Sequence, residues 1–556
     1  MSTDANKWSA INIQEIVTTN NAEGTKIKET LSHDKYGNKI RHNIDYGNGI
    51  KKHTLYKYKY IDDGIRYIVN VPYVSYEQNF RDNKSLISSI EYEYNNEMLP
   101  IKKTITRNNT TEQTEEYAYT TELLLKEHTV TPYGGTEKHT DKYEYNGIGL
   151  LTSHTDSYEN KTTFTYDELN RLTTSTDFKQ HKSEFEYDAL GRVIRATTPC
   201  ANNVSEQALN FTTLSIVRNT SIEWADNKNA IYKITQTETG KPTKITYYNI
   251  YGEAVKSQTQ DFDGFYITVD REYDRSGRLV SESFPYKNTS YRWKNYTYDA
   301  ADRLINTKTT KLIDRLGPIS PTMADGVINT TEETGQYENY TYEKLKTTID
   351  HCGRITSTIR DVKGNVIQST DANGGVTQYE YDPDGRVTKI TTPGSKSEYT
   401  CTEITYDELG RKKQINDMVH GTTSYTYDDN GHIKTITDGK GNTTDFEYDE
   451  HGKITKKSNS DISTTYTYNT DNLISEIRNS NGHIKTYKYD EYLNVSEIKS
   501  DINDKSLTLK YTYDGNNISE IKYTTPTKSH NEIFKYKNGI KTCVVRDKFG
   551  ELQHIT

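Results

Sequence analysis

The sequence predicts an all-β fold built from tandem β-hairpins, and three observations support this prediction. First, a Tyr-Asp motif recurs every 20 to 21 residues from Tyr406 to Tyr489, and a fixed period of this size is typical of stacked repeats. Second, the 556 residues include 47 Tyr but only 11 Phe and 11 Pro, and abundant Tyr, Thr and Ile favours strands. Third, one motif position is almost always Gly, Asn or Asp, as a recurring turn requires. The sheet is expected to have a wet, half-buried surface, because tyrosine offers both an apolar ring and a polar tip.

The motif can be numbered from its tyrosine at position 1, with Asp at position 2 and mostly Arg at position 6. An aromatic residue two places earlier, such as Phe446 before Tyr448, lies on the same face of a strand. Each repeat is therefore expected to hold two strands of roughly seven residues, about 23 Å each. The predicted structural motif residues are Tyr166, Asp167, Tyr187, Asp188, Gly191, Tyr273, Asp274, Gly277, Tyr298, Asp299, Tyr381, Asp382, Gly385, Tyr406, Asp407, Gly410, Tyr427, Asp428, Gly431, Tyr448, Asp449, Gly452, Tyr489 and Asp490.

Position 5 predicts the backbone conformation of the turn. Across eleven copies it holds Gly six times, Asn three times, and Asp302 and Leu493 once each. Gly, Asn and Asp tolerate a positive φ, so this position is expected in the left-handed region, with Leu493 as the exception. The aspartate at position 2 is expected to accept hydrogen bonds from backbone N–H groups ahead of it, which is a structural role. A second turn falls between copies, for example at 371–375 and 438–442.

The clarity of the repeat divides the chain into six predicted segments. The segments are a lead-in at 1–33, degenerate then regular repeats at 34–198, an irregular insertion or set of longer strands at 199–238, repeats at 239–310, a polar loop insertion at 311–345, and regular repeats at 346–556.

Composition excludes several other classes of protein. The net charge is −9 and the basic residues are interspersed with acidic ones, so no nucleic-acid partner is predicted. Residues 1–17 show no Sec-type signal, and no run approaches the roughly 18 apolar residues of a membrane span. The protein is therefore expected to be secreted or displayed on the cell surface by a non-Sec route, or to be cytoplasmic before delivery. The cysteines are widely spaced without a CxxC pair, which argues against a zinc site or disulfide framework: Cys200, Cys352, Cys401 and Cys543.

Histidines, acidic pairs and tyrosine rows are the remaining candidates for chemistry or binding. The histidines are expected to be exposed turn residues, and the acidic loops have too few ligands for calcium. No catalytic, cofactor-binding or metal-binding residue is predicted. The tyrosine rows could stack sugars or an unfolded chain, but cross-strand packing is the favoured interpretation. The residues considered are His432, His451, His483, the pair Asp428 and Asp429, and the pair Asp382 and Asp384.

Copies such as Tyr187-Asp188-Ala189-Leu190-Gly191-Arg192, with Phe185 upstream, resemble the YD repeats of the Rhs family. That family includes bacterial Rhs toxins, the B and C components of insecticidal toxin complexes, and the teneurin shell. The stretch from Tyr247 to Tyr286 is similar to the YD region of toxin-complex B components. The resemblance implies that the hairpins join into a long spiralling antiparallel sheet, which forms part or all of a hollow shell. Compared with that family, the repeats of this chain are expected to end without a core-associated or toxin domain.

The resemblance also implies a function. The chain is expected to be a non-catalytic shell, or shell fragment, that encapsulates or presents a toxic polypeptide in a bacterial toxin-delivery or intercellular competition system. Its expected partner is a second YD-repeat chain or a C-terminal toxin-bearing component. The alternative is a surface carbohydrate-binding or cell-adhesion repeat protein, with a cell-surface glycan as partner. An enzymatic hypothesis would require a site within 201–224 or 311–338.

Overall fold

The computed structural model describes most of the chain. Every regular element in the described part is a β-strand, as the Tyr-, Thr- and Ile-rich composition predicts. Residues 1–13, residues 315–328 of the predicted polar loop and residues 547–556 lie outside it. The described residues are 14–20, 25–47, 49–62, 67–81, 84–132, 135, 137–200, 215–227, 230–290, 292–314, 329–394, 399–503, 505–514, 517–537 and 540–546.

The described residues form 43 strands, which follow one another along the chain with short turns between most of them. The strands up to residue 199 are β1 (Glu15–Asn20), β2 (Thr25–His33), β3 (Lys39–Gly47), β4 (Ile50–Asp62), β5 (Tyr67–Arg81), β6 (Lys84–Tyr94), β7 (Pro100–Arg107), β8 (Thr110–Tyr119), β9 (Leu125–Pro132), β10 (His139–Tyr145), β11 (Leu151–Thr155), β12 (Lys161–Tyr166), β13 (Leu172–Thr176), β14 (Lys182–Tyr187) and β15 (Val193–Pro199). The next are β16 (Ser215–Asn227), β17 (Ala230–Glu238), β18 (Lys244–Tyr248), β19 (Ala254–Gln260), β20 (Tyr266–Tyr273), β21 (Leu279–Ser283), β22 (Arg292–Tyr298), β23 (Leu304–Asp314), β24 (Asn329–Glu343), β25 (Lys346–His351) and β26 (Arg354–Arg360). The last are β27 (Val366–Thr370), β28 (Val376–Tyr381), β29 (Val387–Pro393), β30 (Tyr399–Tyr406), β31 (Lys412–Asp417), β32 (Gly421–Tyr427), β33 (Ile433–Thr437), β34 (Thr443–Tyr448), β35 (Ile454–Ser458), β36 (Ser463–Tyr468), β37 (Ile474–Asn479), β38 (Ile484–Tyr489), β39 (Val495–Ile502), β40 (Lys505–Asp514), β41 (Asn517–Thr524), β42 (Ser529–Lys537) and β43 (Ile540–Arg546).

The chain divides into two compact units, each built from two separate stretches of sequence. Unit 1 comprises Met1–Lys142 and Asn339–Ser460, and unit 2 comprises Tyr143–Glu338 and Asp461–Thr556. In unit 1, each strand from β1 to β10 pairs antiparallel with the next, and so does each strand from β25 to β35. In unit 2 the same holds from β11 to β23 and from β36 to β43. The predicted all-β fold of tandem antiparallel hairpins is confirmed.

Two kinds of turn alternate along each sheet. The motif turn contains positions 2 to 6, and the return turn leads from one hairpin into the next. In successive antiparallel strands alternate turns lie at the same edge, so motif turns share one edge and return turns share the other. The register also shifts at the motif tyrosine, for example between Thr405 and Tyr406 and between Thr426 and Tyr427. This recurrent β-bulge bends the strand locally beside the turn.

The sheet has little apolar core. Among the described residues, no side chain has a relative exposure below 2%, and the buried apolar residues are few and scattered. Many strand residues are half-buried, and in some strands they alternate with exposed residues, as in β12 (Lys161–Tyr166) and β14 (Lys182–Tyr187). The predicted half-buried surface is therefore confirmed. Without a deep core, directional contacts such as hydrogen bonds, ion pairs and ring stacking must supply much of the cohesion.

Most of the described residues in the two predicted insertions lie in strands. Residues 215–238 form β16 and β17, which pair over most of their length, so this part is a pair of longer strands and not an irregular insertion. The interval 311–345 includes the end of β23 and most of β24, so those parts are not loop. Both stretches lack the Tyr-Asp turn motif, and a strand continues where no turn sequence interrupts it. Residues 201–214 and 315–328 lie outside the described residues.

Candidate functional site

Each motif turn is closed by the same pair of backbone hydrogen bonds. In the turn at 407–411, the N–H of Asp407 donates to the carbonyl of Arg411 at 2.9 Å, and the N–H of Gly410 donates to the carbonyl of Asp407 at 3.0 Å. The turns at 428–432, 449–453 and 469–473 have the same two bonds. The repeated sequence therefore encodes a repeated backbone shape, and not only a repeated pattern of strands.

Position 5 lies in the left-handed region, as the sequence predicts. The six motif glycines have φ between 76° and 89°, and Asn170, Asn472 and Asp302 have φ of 63°, 64° and 60°. Leu493 adopts the same conformation at 65° although it lacks the tolerance of Gly or Asn. The turn after Tyr513 lies partly outside the described residues. Of its described part, Asp514 pairs with Asn517 across the hairpin.

The position-2 aspartates hold the turn from inside. Asp407 Oδ1 accepts hydrogen bonds from the N–H groups of Leu409 and Arg411 at 3.0 and 2.8 Å, and its Oδ2 accepts one from Arg411 Nε at 2.7 Å. Each of the nine motif aspartates accepts the bond from the backbone N–H of position 6. In the first regular copy, the backbone N–H and guanidinium of Arg171 lower the pKa of Asp167 below its usual value. These carboxylates act as hydrogen-bond acceptors within the turn.

Four position-6 arginines connect their turn to the following repeat. The guanidinium of each pairs with the aspartate of its own turn and also stacks on the tyrosine of the next copy. Arg411 lies 4.1 Å from the ring centroid of Tyr427, and Arg386 lies 4.7 Å from that of Tyr406. The same contact joins Arg171 to Tyr187 and Arg278 to Tyr298.

The tyrosine hydroxyl reaches back to the preceding repeat. In all nine predicted motif copies it donates to the backbone carbonyl of the strand that begins after the previous turn, at 2.6 to 3.2 Å. The bulge and turn bring the hydroxyl to a carbonyl 15 or 19 residues earlier, as from Tyr427 to Lys412 and from Tyr406 to Val387. Sequence reasoning missed this bond, because a period alone does not say which atom of the neighbouring hairpin the hydroxyl meets. The predicted motif residues thus bond one hairpin to the next.

Unit 1 also contains contacts between motif turns and return turns far apart in sequence, which we call the unit 1 seam. Arg107 Nη1 donates to Asp384 Oδ2 at 2.7 Å, and Asn108 donates to the carbonyl of Glu408 at 3.1 Å. Thr110 also donates to the Glu408 carboxylate at 3.1 Å. These partners are 277 to 300 residues apart. The two stretches of unit 1 are therefore joined by side chains at their edges.

A buried ion pair lies within this seam. Arg81 Nη2 donates to Asp361 Oδ2 at 2.6 Å, and the two side chains are only 7% and 8% exposed. Asp361 occupies position 2 of a turn whose position 6 is Asn365, so the turn lacks its own arginine. Burial alone would raise the pKa of Asp361, but hydrogen bonds from Asn365 and Arg81 hold it below the usual value. Arg81 supplies from across the seam the guanidinium that other turns carry themselves.

In four motif turns from the later stretches of the two units, position 4 lies at a seam. In unit 1, Asp384 pairs with Arg107 and Leu409 is buried. In unit 2, Asp471 pairs with Lys179, and the ring of Tyr492 stacks on His181 with centroids 4.6 Å apart. These unit 2 contacts form the unit 2 seam. The sequence offered no signal for this role of position 4 in the seams, because position 4 has no recurring residue type.

The predicted exposed histidines are half-buried instead, because each has a partner. His432 takes the place of the position-6 arginine: its Nδ1 lies 3.3 Å from Asp428, and its ring stacks on Tyr448. His451 is half-buried at position 4, and His483 Nε2 lies 2.8 Å from the hydroxyl of Ser500. Within the described residues, no group of three or more His, Cys, Asp or Glu side chains could hold a metal ion.

The described cysteine side chains occupy different environments. Cys200 is buried, Cys401 is half-buried and Cys352 is exposed, and the side chain of Cys543 lies outside the described residues. Burial, together with nearby Asp514, raises the pKa of the Cys200 thiol above its usual value. A thiol kept protonated is a poor nucleophile.

A helical membrane span must be long and predominantly apolar. In the part of the chain that the structure describes, no helix has the length and apolarity to cross a membrane.

These features define a class of protein, a repeat-built β-sheet whose recurring Tyr, Asp and Arg side chains bond neighbouring hairpins. The RHS repeat family model matches residues 145–182 and 360–397, and the teneurin YD-shell model matches 394–500. The resemblance to the Rhs and YD-repeat family is thereby confirmed, and the chain carries Rhs-type YD repeats in these segments. None of the curated proteins compared with the sequence matches it.

Solved structures of toxin complexes are similar to this chain, and it spans less than half the length of each. The TcdB2-TccC3-Cdc42 structure has 10% sequence identity and a TM-score of 0.37, over 94% of this chain and 45% of that one. The TcdB2-TccC3 structure without its hypervariable C-terminal region has 10% identity and a TM-score of 0.38, over 96% of this chain and 45% of that one. The Photorhabdus luminescens Tc holotoxin pore with mutated TccC3 has 11% identity and a TM-score of 0.36, over 96% of this chain and 44% of that one.

Proposed function

We propose that the chain is a non-catalytic YD-repeat wall, forming all or part of a shell that encapsulates or presents a toxic polypeptide in a bacterial toxin-delivery or intercellular competition system. Its partner is a second YD-repeat chain or a C-terminal toxin-bearing component. The single observation that carries this proposal is the use of the motif side chains. The hydroxyl and carboxylate of each predicted motif copy are engaged inside the sheet, and so is the guanidinium where position 6 is arginine, as in Tyr406, Asp407 and Arg411.

This use of the motif favours a wall over a binding or catalytic surface. The carboxylates already accept two or three hydrogen bonds each, which leaves them unsuited to acid–base chemistry. Arginines cover one face of several tyrosine rings, including Tyr187 and Tyr427. A sugar that stacked on those faces would have to displace a charged group, so the tyrosine rows offer a poor glycan platform.

The wall proposal is tested by cargo protection. The chain is co-expressed with the YD-repeat or toxin-bearing product of the adjacent reading frame, and the purified complex is treated with protease. The cargo is expected to resist digestion until the seam is weakened by Arg81→Ala with Arg107→Ala, and electron microscopy is expected to show a hollow body with interior density. An open strip, or a cargo digested equally fast in both complexes, would refute the proposal. Selective binding to a glycan array would instead support the carbohydrate-binding alternative.

A further inference from the structure

The motif turns of unit 2 include a row of exposed apolar side chains, and this row has no counterpart in the seams. It consists of Ile148, Leu169, Leu190 and Tyr251, each at position 4 of its turn. We call these four residues the apolar row. Leu169 and Leu190 are 70% and 78% exposed, whereas Leu409, at the same position of a seam turn, is 8% exposed. The difference comes from what covers the turn, because the turns have the same backbone hydrogen bonds.

The seams show how a motif turn is covered. A return turn lies against it, and the residue facing position 4 matches that position in chemistry. Asp384 meets Arg107, Asp471 meets Lys179, and Tyr492 meets the ring of His181. An apolar position 4 therefore fits best against a return turn that presents apolar side chains.

The chain carries such a return turn at 417–421, which joins β31 to β32. Met418 and Val419 at its tip are 69% and 70% exposed. The turn is preformed, since Asp417 Oδ1 accepts hydrogen bonds from the N–H groups of Val419 and His420, both at 2.9 Å. A rigid turn loses little conformational freedom on docking. The side chains of the apolar row and of the tip of this return turn are both exposed in the single chain.

We propose that the apolar row of one copy docks on the return turn at 417–421 of a second copy, repeating between molecules the contact that the seams make within one. The contact removes apolar surface from water, which is the dominant favourable contribution in most protein association. The contact joins two different surfaces of the chain, so in a dimer one copy still has an exposed apolar row and the other an exposed return turn. Association therefore continues beyond dimers unless the geometry closes a ring. The interaction involves only copies of this chain and needs no cargo, so it can fail while the proposed function holds.

Self-association of the purified full chain tests the proposal first. Sedimentation velocity over a wide concentration range is expected to show reversible assembly. Leu169→Asp with Leu190→Asp, and separately Met418→Asp with Val419→Asp, are expected to weaken it at least tenfold. The matched control is Ser276→Asp with Ala301→Asp, which adds the same two charges at exposed position-4 residues outside the apolar row and is expected to leave assembly unchanged. A chain that stays monomeric, or assembly that the row variants do not weaken, would overturn the proposal.

Directed cross-linking checks which surfaces meet, in a Cys352→Ser background that removes the thiol found exposed among the described cysteine side chains. A mixture of Leu190→Cys chains and Val419→Cys chains is expected to form an intermolecular disulfide under mild oxidation. Each variant alone is expected to form little. Cross-linking of Leu190→Cys with itself would mean that like surfaces meet, and it would overturn the head-to-tail contact. Both substitutions are at exposed tips, and circular dichroism verifies that the variants keep their strands.

Discussion

Arg81 and Asp361 form a buried ion pair at 2.6 Å although 280 residues separate them in sequence. The guanidinium also lies 5.4 Å from the ring centroid of Tyr381. One aspartate thus belongs both to a local turn and to a contact between the two stretches of unit 1. The same side chain that shapes a hairpin also holds distant hairpins together.

Breaking this pair is expected to destabilise unit 1 strongly. Arg81→Ala leaves a carboxylate buried beside its turn, and removal of one partner of a buried pair costs about 3–5 kcal/mol. Denaturant unfolding should show a lower midpoint, and hydrogen exchange should rise in peptides around 81 and 361. Because the two residues are in direct contact, Arg81→Ala combined with Asp361→Asn should cost less than the sum of the single changes.

The control for this prediction is an exposed pair of the same chemistry. Arg192 pairs with Asp188 inside its own motif turn at 2.7 Å, but the arginine side chain is half in solvent. Solvent and salt screen such pairs, so Arg192→Ala should shift the midpoint far less than Arg81→Ala. Equal shifts of the unfolding midpoint would show that neither burial nor a place in the seam strengthens the Arg81–Asp361 pair, contrary to our interpretation.

The tyrosine hydroxyl should make a separable contribution to the bonding between hairpins. Tyr406→Phe removes the 2.8 Å bond to the carbonyl of Val387 and keeps the ring under Arg386. A loss of about 1 kcal/mol is expected for one such hydrogen bond, and Tyr406→Ala should cost more because the ring is lost as well. Hydrogen exchange in β29 and β30 should increase in both variants, and it should increase more in Tyr406→Ala than in Tyr406→Phe. Tyr399→Phe, at an exposed residue in the same strand, should leave exchange unchanged.

The local repeat was predictable because its cause is local. Position 5 must tolerate a positive φ, and that requirement is visible as Gly, Asn or Asp at a fixed place in almost every copy. The two aromatics of a strand, such as Phe446 and Tyr448, show their shared face through their spacing of two. These features depend on a few adjacent residues, so one sequence is enough to predict them.

The seams were not predictable because their partners are far apart and follow no pattern. Arg81 lies outside any motif copy, and nothing near it in sequence points to Asp361. Leu169 and Leu409 stand in nearly identical turns, yet one is exposed and the other buried. Their difference depends on which return turn lies opposite, and that is set by the path of the whole chain.

The left-handed position 5 should respond to substitution in opposite directions at two sites. Gly191 has φ of 79° and open space where the methyl group of an alanine would stand, so Gly191→Ala should destabilise by about 1 kcal/mol through backbone strain alone. Leu493 already bears that strain at 65°, so Leu493→Gly should raise stability by up to about 1 kcal/mol. Thermal midpoints of the two variants should move apart. Asn170→Gly serves as the control, since Asn tolerates this conformation, and matching shifts at Leu493 and Asn170 would argue against strain.

Asp514 should make the stability of unit 2 fall as pH rises. It is buried, and burial raises its pKa to about 6 from an ordinary value of 3.8. A group whose pKa is raised by folding favours the folded state while both states are protonated, and that contribution is lost as pH rises through the folded-state pKa. A rise of about two units in the pKa of Asp514 corresponds to about 3 kcal/mol of folding free energy, and this contribution is lost between about pH 4 and pH 7.

Asp514→Asn should remove this pH dependence, because the amide stays neutral at every pH in the range. Unfolding midpoints of the wild type and the variant are compared at pH 4 and pH 8, so that the titration of all other groups cancels in the difference. The variant should be close to wild type at pH 4 and more stable at pH 8. A constant difference across the range would mean that Asp514 titrates at its ordinary pKa, and its burial would then impose no cost on the ionised form.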